Sequence, residues 1–291
     1  MTERRAWVLN LDAEHELAAR GPYTPAASLR ATVARARADL IGGLVQPDEV
    51  VVDEGTEAHG LLGFAWCPTP RALRSLERAG AVLPAAPSLA VLREVNARTF
   101  AARLAGGALD KHVVSNAEEL EALLARQAPR PAWLVRRLFG AAGRGRRRVP
   151  PGKPTDDDAR WLKAGLRDGP LVVEPWVEVE LEVARHGWIE ADGDVRLGAP
   201  CVQRVDARGA WCETRRAQPG ELTATECAAS DRAVRIAAEA LVGAGYFGPF
   251  GVDAFRYRGE PSGFQPLSEI NARFTMGWEA GMGAPPHRLG P

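Results

Sequence analysis

The stretch from Gly248 to Trp278 constrains this chain most: GPFGVDAF, a charged turn RYRGEPSG, then FQPLSEINARFTMGW. Two strand-like runs joined by a glycine-containing turn predict a hairpin. Alternation puts Asp253 on the face opposite Val252 and Ala254. It also gives Glu269 and Asn271 one shared face, which Arg273 continues. Two carboxylates, a carboxamide and a guanidinium then meet on one patch of sheet. Hard oxygen donors of this kind suit Mg²⁺, which takes one or two carboxylates together with phosphate oxygens. An arginine beside them suits a phosphate or a carboxylate. Taken alone, the same pattern also describes a hairpin with one solvated polar face.

The chain around this hairpin has 291 residues, enough for two or three lobes. Lys+Arg and Asp+Glu both number 37, so there is no global electrostatic case for nucleic acid or membrane. No apolar run approaches about 20 residues, so no transmembrane helix is expected. The first apolar run breaks at Asn10 and Asp12 and reads as a strand rather than a signal peptide. Cys67, Cys201, Cys212 and Cys227 are isolated, with no C-x-x-C pair and no clustered histidines. That argues against zinc and against a disulfide framework, and it fits a cytoplasmic protein. Arginine is abundant and lysine scarce.

Strands at 6–11, 49–53, 61–67 and 81–84 alternate with helices at 26–40 and 71–79. This predicts an open α/β domain with a mostly parallel sheet over residues 1–90. A helix over 89–104 leads into a second lobe at 91–172. That lobe has a helix at 115–126 with Ser115 and Glu118 as a capping box, a strand at 133–137, a glycine-rich turn, a basic strand and a helix at 159–167. The third lobe, 173–291, follows the strand at 170–174. It has strands at 178–190, 194–204 and 210–215, then the longest amphipathic helix at 223–243, capped by Thr223 or Thr225. After the hairpin comes a Gly- and Pro-rich tail from Gly281, expected at the surface. Glu14-His15-Glu16 and Asp110-Lys111-His112 also read as surface, and His186 beside Gly187 as a turn.

The glycine-rich turn, Phe139 to Gly145, lies between two strands. It lacks G-K-[ST] and opens no helix, so it is neither a P-loop nor a dinucleotide fingerprint. Such a turn can fold over a triphosphate and donate backbone N–H groups. It can equally be an ordinary hairpin turn. The apolar strand LVVE then meets a break at Pro175-Trp176-Val177. Downstream, Glu180 and Glu182 alternate with Leu181 and Val183 and are expected on one face.

In this order, a basic helix start, a basic strand with a glycine turn, a strand ending in Glu, a long helix and D…E-x-N-x-R resemble the ATP-grasp family over residues 90–278. The resemblance implies an α+β grasp: an N-terminal open α/β domain followed by two α+β lobes clamping a nucleotide. It implies ATP and Mg²⁺ (or Mn²⁺) as cofactors. Asp253, Glu269 and Asn271 would hold the metal. Arg98 would contact phosphate, with Lys111 less well placed for that role. Arg136 stands where many members carry lysine, and Gly140, Gly143 and Gly145 would cover the triphosphate. Glu174 and the backbone of Trp176 and Val177 would read the adenine, and Glu182 rather than Glu180 the ribose. Arg273 would steady the γ-phosphate or an acyl phosphate. The implied activity is ligation: a carboxylate is activated as an acyl phosphate for attack by an amine or similar nucleophile, forming a carbon–nitrogen or carbon–sulfur bond. The expected partners are small-molecule or peptide carboxylates and amines, and a homodimer is compatible with the chain. A phosphotransferase on the same fold and a non-catalytic nucleotide-binding regulator are the alternatives. Gln203, Arg204, Arg215 and Arg216 are expected to line the edge of the large lobe, favouring an acidic substrate. Asn10, Asp12 and the Glu54-Gly55-Thr56 loop are expected beside the acceptor.

Overall fold

The computed structural model describes residues 4–41, 43–104, 106–126, 130–140, 144–152, 154–206 and 211–285. The first apolar run forms β1 (Arg5–Val8), buried at every position. Parallel strands need crossovers, and α1 (Ala13–Ala18) and α2 (Ala27–Arg37) lead to β2 (Val50–Val51) and then β3 (Leu62–Ala65), which flank β1 in parallel. α3 (Pro70–Arg78) starts one residue before the expected 71–79: Thr69 accepts the Ala72 N–H and Pro70 opens the first turn. The run at 81–84 supplies one bridge, Val82 to Leu62, rather than a full strand.

The helix expected over 89–104 is two helices, α4 (Leu89–Asn96) and α5 (Arg98–Ala102), with Ala97 extended between them. Asn96 explains the break. Its buried amide accepts the Ala272 N–H at 3.0 Å and donates to the Ala272 carbonyl at 3.3 Å, tying the helix end to the end of the hairpin. Next come β4 (His112–Val114), α6 (Ala117–Leu124), β5 (Trp133–Arg136), β6 (Arg146–Val149), α7 (Asp156–Asp168) and β7 (Leu171–Pro175). The four strands form an antiparallel sheet in the order β4-β7-β5-β6. The cap of α6 lies one residue later than the sequence suggests. Asn116 accepts the Glu119 N–H, and Glu119 accepts the Ser115 N–H, each at 2.8 Å. α7 begins earlier than expected because Thr155 caps it and three aspartates fill its positive first turn.

The largest sheet is built from β8 (Glu178–Ile189), β9 (Val195–Leu197), β10 (Cys201–Val205) and β11 (Trp211–Arg216), with β12 (Gly248–Arg258) and β13 (Gly263–Asn271) after α8 (Ala224–Gly243). Its order is β11-β10-β8-β12-β13, all antiparallel, with β9 against the far end of β8. The strand expected at 194–204 is therefore two. His186 sits inside β8, buried, rather than in a turn. The segment around Gly281 is not a surface tail: α9 (Trp278–Met282) seats Trp278 in the core, and Arg5 donates to the Pro285 carbonyl at 3.0 Å. Residues 286–291 lie outside the described residues.

One core joins the first sheet to the largest. Trp7 meets Phe64 at 4.9 Å and Phe274 at 5.2 Å, and Phe274 meets Trp278 at 5.0 Å. The four-stranded sheet has a separate core of Leu120, Trp133, Val135, Leu162 and Leu171.

Candidate nucleotide and metal site

A cavity of ≈ 660 Å³ opens between the four-stranded sheet and the largest sheet, and it is half polar. Asp253 and Glu269 meet in it, on one patch as the alternation predicts, and the β12–β13 register sets them directly opposite each other. Both oxygens of Asp253 are held by amides: Gln203 donates to Oδ1 at 3.1 Å and Asn271 to Oδ2 at 2.9 Å. Burial, and then the Glu269 charge, push Asp253 up to about 6. Burial pushes Glu269 the same way, but Arg98 at 3.4 Å and Arg136 at 3.5 Å outweigh it, with Arg273 and Lys111 adding to them, so it stays below the ordinary carboxylate range. The Asn271 oxygen accepts from Arg273 at 2.8 Å. Arg273 also pairs with Glu14 and lies over the Trp66 ring, so α1 and the end of β3 hold it on two sides.

The basic wall comes from β5 and α5. Arg136 reaches back to Glu174 on β7, Nε to Oε1 at 2.8 Å, with Glu174 buried and Arg136 part-buried. Arg98 grips the entrance of the glycine turn. Its guanidinium donates to the Arg137 and Gly140 carbonyls at 3.0 and 2.7 Å, and its backbone N–H to Leu138 at 3.0 Å. At Gly140 a Cβ would stand 2.5 Å from the Arg144 carbonyl oxygen, and Gly145 has φ of +72°. Both positions therefore need glycine. Gly143 lies outside the described residues.

At the other end, Leu134, Val177, Val179 and Phe255 give the cavity an apolar floor. The Trp176 N–H is donated to the Ala132 carbonyl at 2.8 Å, and its ring carries the Arg148 guanidinium at 3.9 Å. Glu180 and Glu182 do not share a face, contrary to the alternation. The β8–β12 register shifts between Arg256 and Tyr257, and Glu180 is the extra residue on β8. The bulge reverses the parity. Val179 and Glu182 line the cavity, while Glu180 turns to Arg256 and Arg258. Burial, and then Asp253, raise Glu182 to about 7.

Several expected residues lie elsewhere. Arg204 pairs with Glu213 and Arg215 with Glu221 at the surface; of that strand group Gln203 lines the cavity. Asn10 spends its amide on Cys67 and Thr69, and Asp12 pairs with Arg71. The N-terminal segment reaches the cavity through Glu14 on α1 instead. Glu14 and Glu16 are buried, not surface: Glu16 accepts from Thr69 at 2.7 Å and from the Arg71 N–H at 3.0 Å. Lys111 is drawn inward too, donating to the Leu267 and Ser268 carbonyls at 2.8 and 2.9 Å. Burial, partly offset by Glu174, lowers it to about 8. Nothing in the local sequence around Glu14 signals its burial. For Lys111 the one hint is its rarity among so many arginines.

Among the described residues no group of three or more His, Cys, Asp and Glu forms a metal site. The donor set of Asp253, Glu269 and Asn271 nevertheless fits a hard divalent cation that keeps phosphate and water in its shell. Two facing carboxylates, one of them pushed toward protonation by burial and then by the other's charge, are a place where a cation relieves repulsion. With its oxygen toward Arg273, Asn271 must turn to join them.

No family model and no curated protein sequence matches the chain. Solved structures do. An N5-carboxyaminoimidazole ribonucleotide synthetase from Thermus thermophilus superposes with TM-score 0.54 at 18% identity, covering 98% of this chain and 80% of that one. D-alanyl-alanine synthetase A from Vibrio cholerae gives 0.53 at 12%, covering 94% and 89%. The Staphylococcus aureus N5-carboxyaminoimidazole synthetase complexed with ADP gives 0.50 at 11%, covering 74% of this chain, which spans only 54% of that protein's length. At such identities the likeness is one of fold.

Proposed function

We propose that this chain, which has the ATP-grasp fold, is an ATP-dependent ligase that activates a carboxylate for attack by an amine or similar nucleophile. The observation that carries the reading is the pairing of Asp253 with Glu269 at one end of a cavity whose walls supply Arg98, Arg136 and Arg273. Asp253 and Glu269, with Asn271 turned inward, would hold Mg²⁺, which when bound supplies positive charge to the phosphates.

The protein's own groups account for the remainder. The apolar floor of Leu134, Val179 and Phe255 suits a purine ring. Because the Trp176 N–H is already spent, the donor for an adenine ring nitrogen falls to Val177. Glu182 would accept from the ribose hydroxyls. Arg136 and Arg98 lie where a triphosphate would run, beside the glycine turn that would cover it and keep water away. Arg273, fixed by Glu14, would steady the γ-phosphate and then the acyl phosphate. At that end Glu14 Oε2 and Thr275 Oγ1 are buried without a hydrogen-bond partner, so the acceptor would meet unspent polar groups there.

The test is product analysis with ATP, Mg²⁺ and a panel of carboxylates and amines. Ligation releases phosphate and coupled product in equal amounts, and Glu269→Gln should lower that turnover at least ~100-fold while leaving the fold intact. Transfer of the γ-phosphate to a hydroxyl without free phosphate would make the chain a kinase. Nucleotide binding with no turnover of any acceptor would make it a non-catalytic binder.

A further inference from the structure

We infer that Lys111 is a positioning residue for Glu269 and acts through a bulge in the strand that carries it. The inference rests on the reading of Asp253 and Glu269 as metal ligands. The hairpin does not keep one register. Asp253 pairs with Glu269, but the next pair is Phe255 with Gln265, so Ala254 stands opposite three residues, Pro266, Leu267 and Ser268. A run this far out of step leaves backbone groups without ladder partners, and Leu267 is buried. Pro266 is tolerated there because it has no N–H to lose.

Partners come from the segment leading into β4 and from β13 itself. The Lys111 ammonium, one residue before β4, donates to the Leu267 carbonyl at 2.8 Å and to the Ser268 carbonyl at 2.9 Å. Gln265, fully buried, donates to the same Leu267 carbonyl at 2.6 Å and accepts the Ala108 and Leu109 N–H groups at 2.6 and 2.9 Å. Residues 108–111 are thus pinned onto the bulge immediately before Glu269. Ser268 and Glu269 line the cavity and Lys111 does not, so its ammonium works from behind the wall. A bulge re-aims the side chain that follows it, and here one ammonium fixes that bulge.

The choice of lysine is informative. It is one of only three lysines in a chain with 37 basic residues. A compact ammonium with several donors can sit between two adjacent carbonyls, where a planar guanidinium fork would not.

Calorimetric titration of ADP, with and without Mg²⁺, tests this on the full chain. Lys111→Met should reduce the Mg²⁺-dependent gain in ADP affinity by roughly 10-fold or more, the usual range for groups that orient a metal ligand. Affinity in EDTA should stay within about twofold, since Lys111 touches no nucleotide-facing space. A residue that merely stabilised the fold would lower both affinities together, and that result would overturn the proposal. Lys111→Arg keeps the charge and guards against misfolding. It should recover part of the gain, and full recovery of wild-type coupling would also overturn it. If the wild-type protein shows no Mg²⁺-dependent gain, the metal reading itself fails and the inference falls with it. A wild-type gain left untouched by Lys111→Met removes the inference alone.

Discussion

Glu182 carries the site's most consequential proton. Raised to about 7 by burial and by Asp253, it exchanges its proton near neutrality. If it accepts the ribose hydroxyls, the anion is the better acceptor by about 1 kcal/mol. The KM for ATP should therefore rise roughly fivefold as pH falls from about 8 to about 6. Glu182→Gln should flatten that limb, and a pH-independent KM in the wild-type protein would take Glu182 out of the ribose site. Such a residue was legible in outline only. Strict alternation puts Glu269 and Asn271 on one face because the ladder keeps register over Gly251–Asp253, just before it breaks. It misplaces Glu180 because one bulged residue reverses which face each neighbour takes. Glu14 and Lys111 were illegible for a different reason. Their burial is created by strands far away in sequence, and a short polar run bears no mark of what will fold over it.

Elements were more legible than their ends. Periodicity found α8, the hairpin and the parallel first sheet, since each is governed by an apolar repeat. At α8 the cap falls on Thr223, one of the two threonines its sequence offers, while at α6 it falls on Asn116 rather than on the neighbouring Ser115. The break at Ala97 had no local signal, because Asn96 finds its partner, Ala272, only in the folded chain. The cap of α8 permits a direct measurement. Thr223 accepts the Glu226 N–H at 3.2 Å, and Glu226 accepts the Thr223 N–H at 2.8 Å while its carboxylate pairs with Arg256 at 2.7 Å. Thr223→Ala should cost about 1 kcal/mol, lowering the melting temperature by roughly 2–4 °C. Thr223→Ser should be nearly neutral. Equal losses in the two variants would mean that the threonine methyl, not the hydroxyl, does the stabilising.

Among the described residues the cleft lies between the core shared by the first and largest sheets and the core of the four-stranded sheet, and stability should register what the cleft holds. The first and largest sheets share Trp7, Phe274 and Trp278, so the cleft carboxylates and His186 belong to one cooperative body. Between about pH 5.5 and 6.5 carboxylates held below their ordinary range, such as Glu226 and Glu269, are already ionised in both states, and three buried groups bind protons differently in the folded and unfolded chain. His186, pushed down by burial and then by Arg185, has a folded value of about 4 against an ordinary 6.5. There the unfolded chain holds the proton, and stability is lost as pH falls. Asp253 and Glu182 act in the opposite sense. Their folded values of about 6 and about 7 lie above the ordinary 3.8 and 4.5, so the folded chain holds their protons and stability is lost as pH rises. Two groups against one leave the folded state with somewhat less than one extra proton. The unfolding free energy of the unliganded protein should then grow by roughly 1 kcal/mol per unit as pH drops through this window. His186→Gln removes the opposing group and should bring the slope to roughly 2 kcal/mol per unit, while Glu182→Gln should bring it close to zero. Urea midpoints at a few pH values read all three slopes. The comparison of slopes survives any uniform destabilisation by the substitutions themselves. A wild-type slope of the opposite sign would mean that Asp253 and Glu182 stay ionised in the empty cleft, held by more positive charge than Arg98, Arg136 and Arg273 supply here.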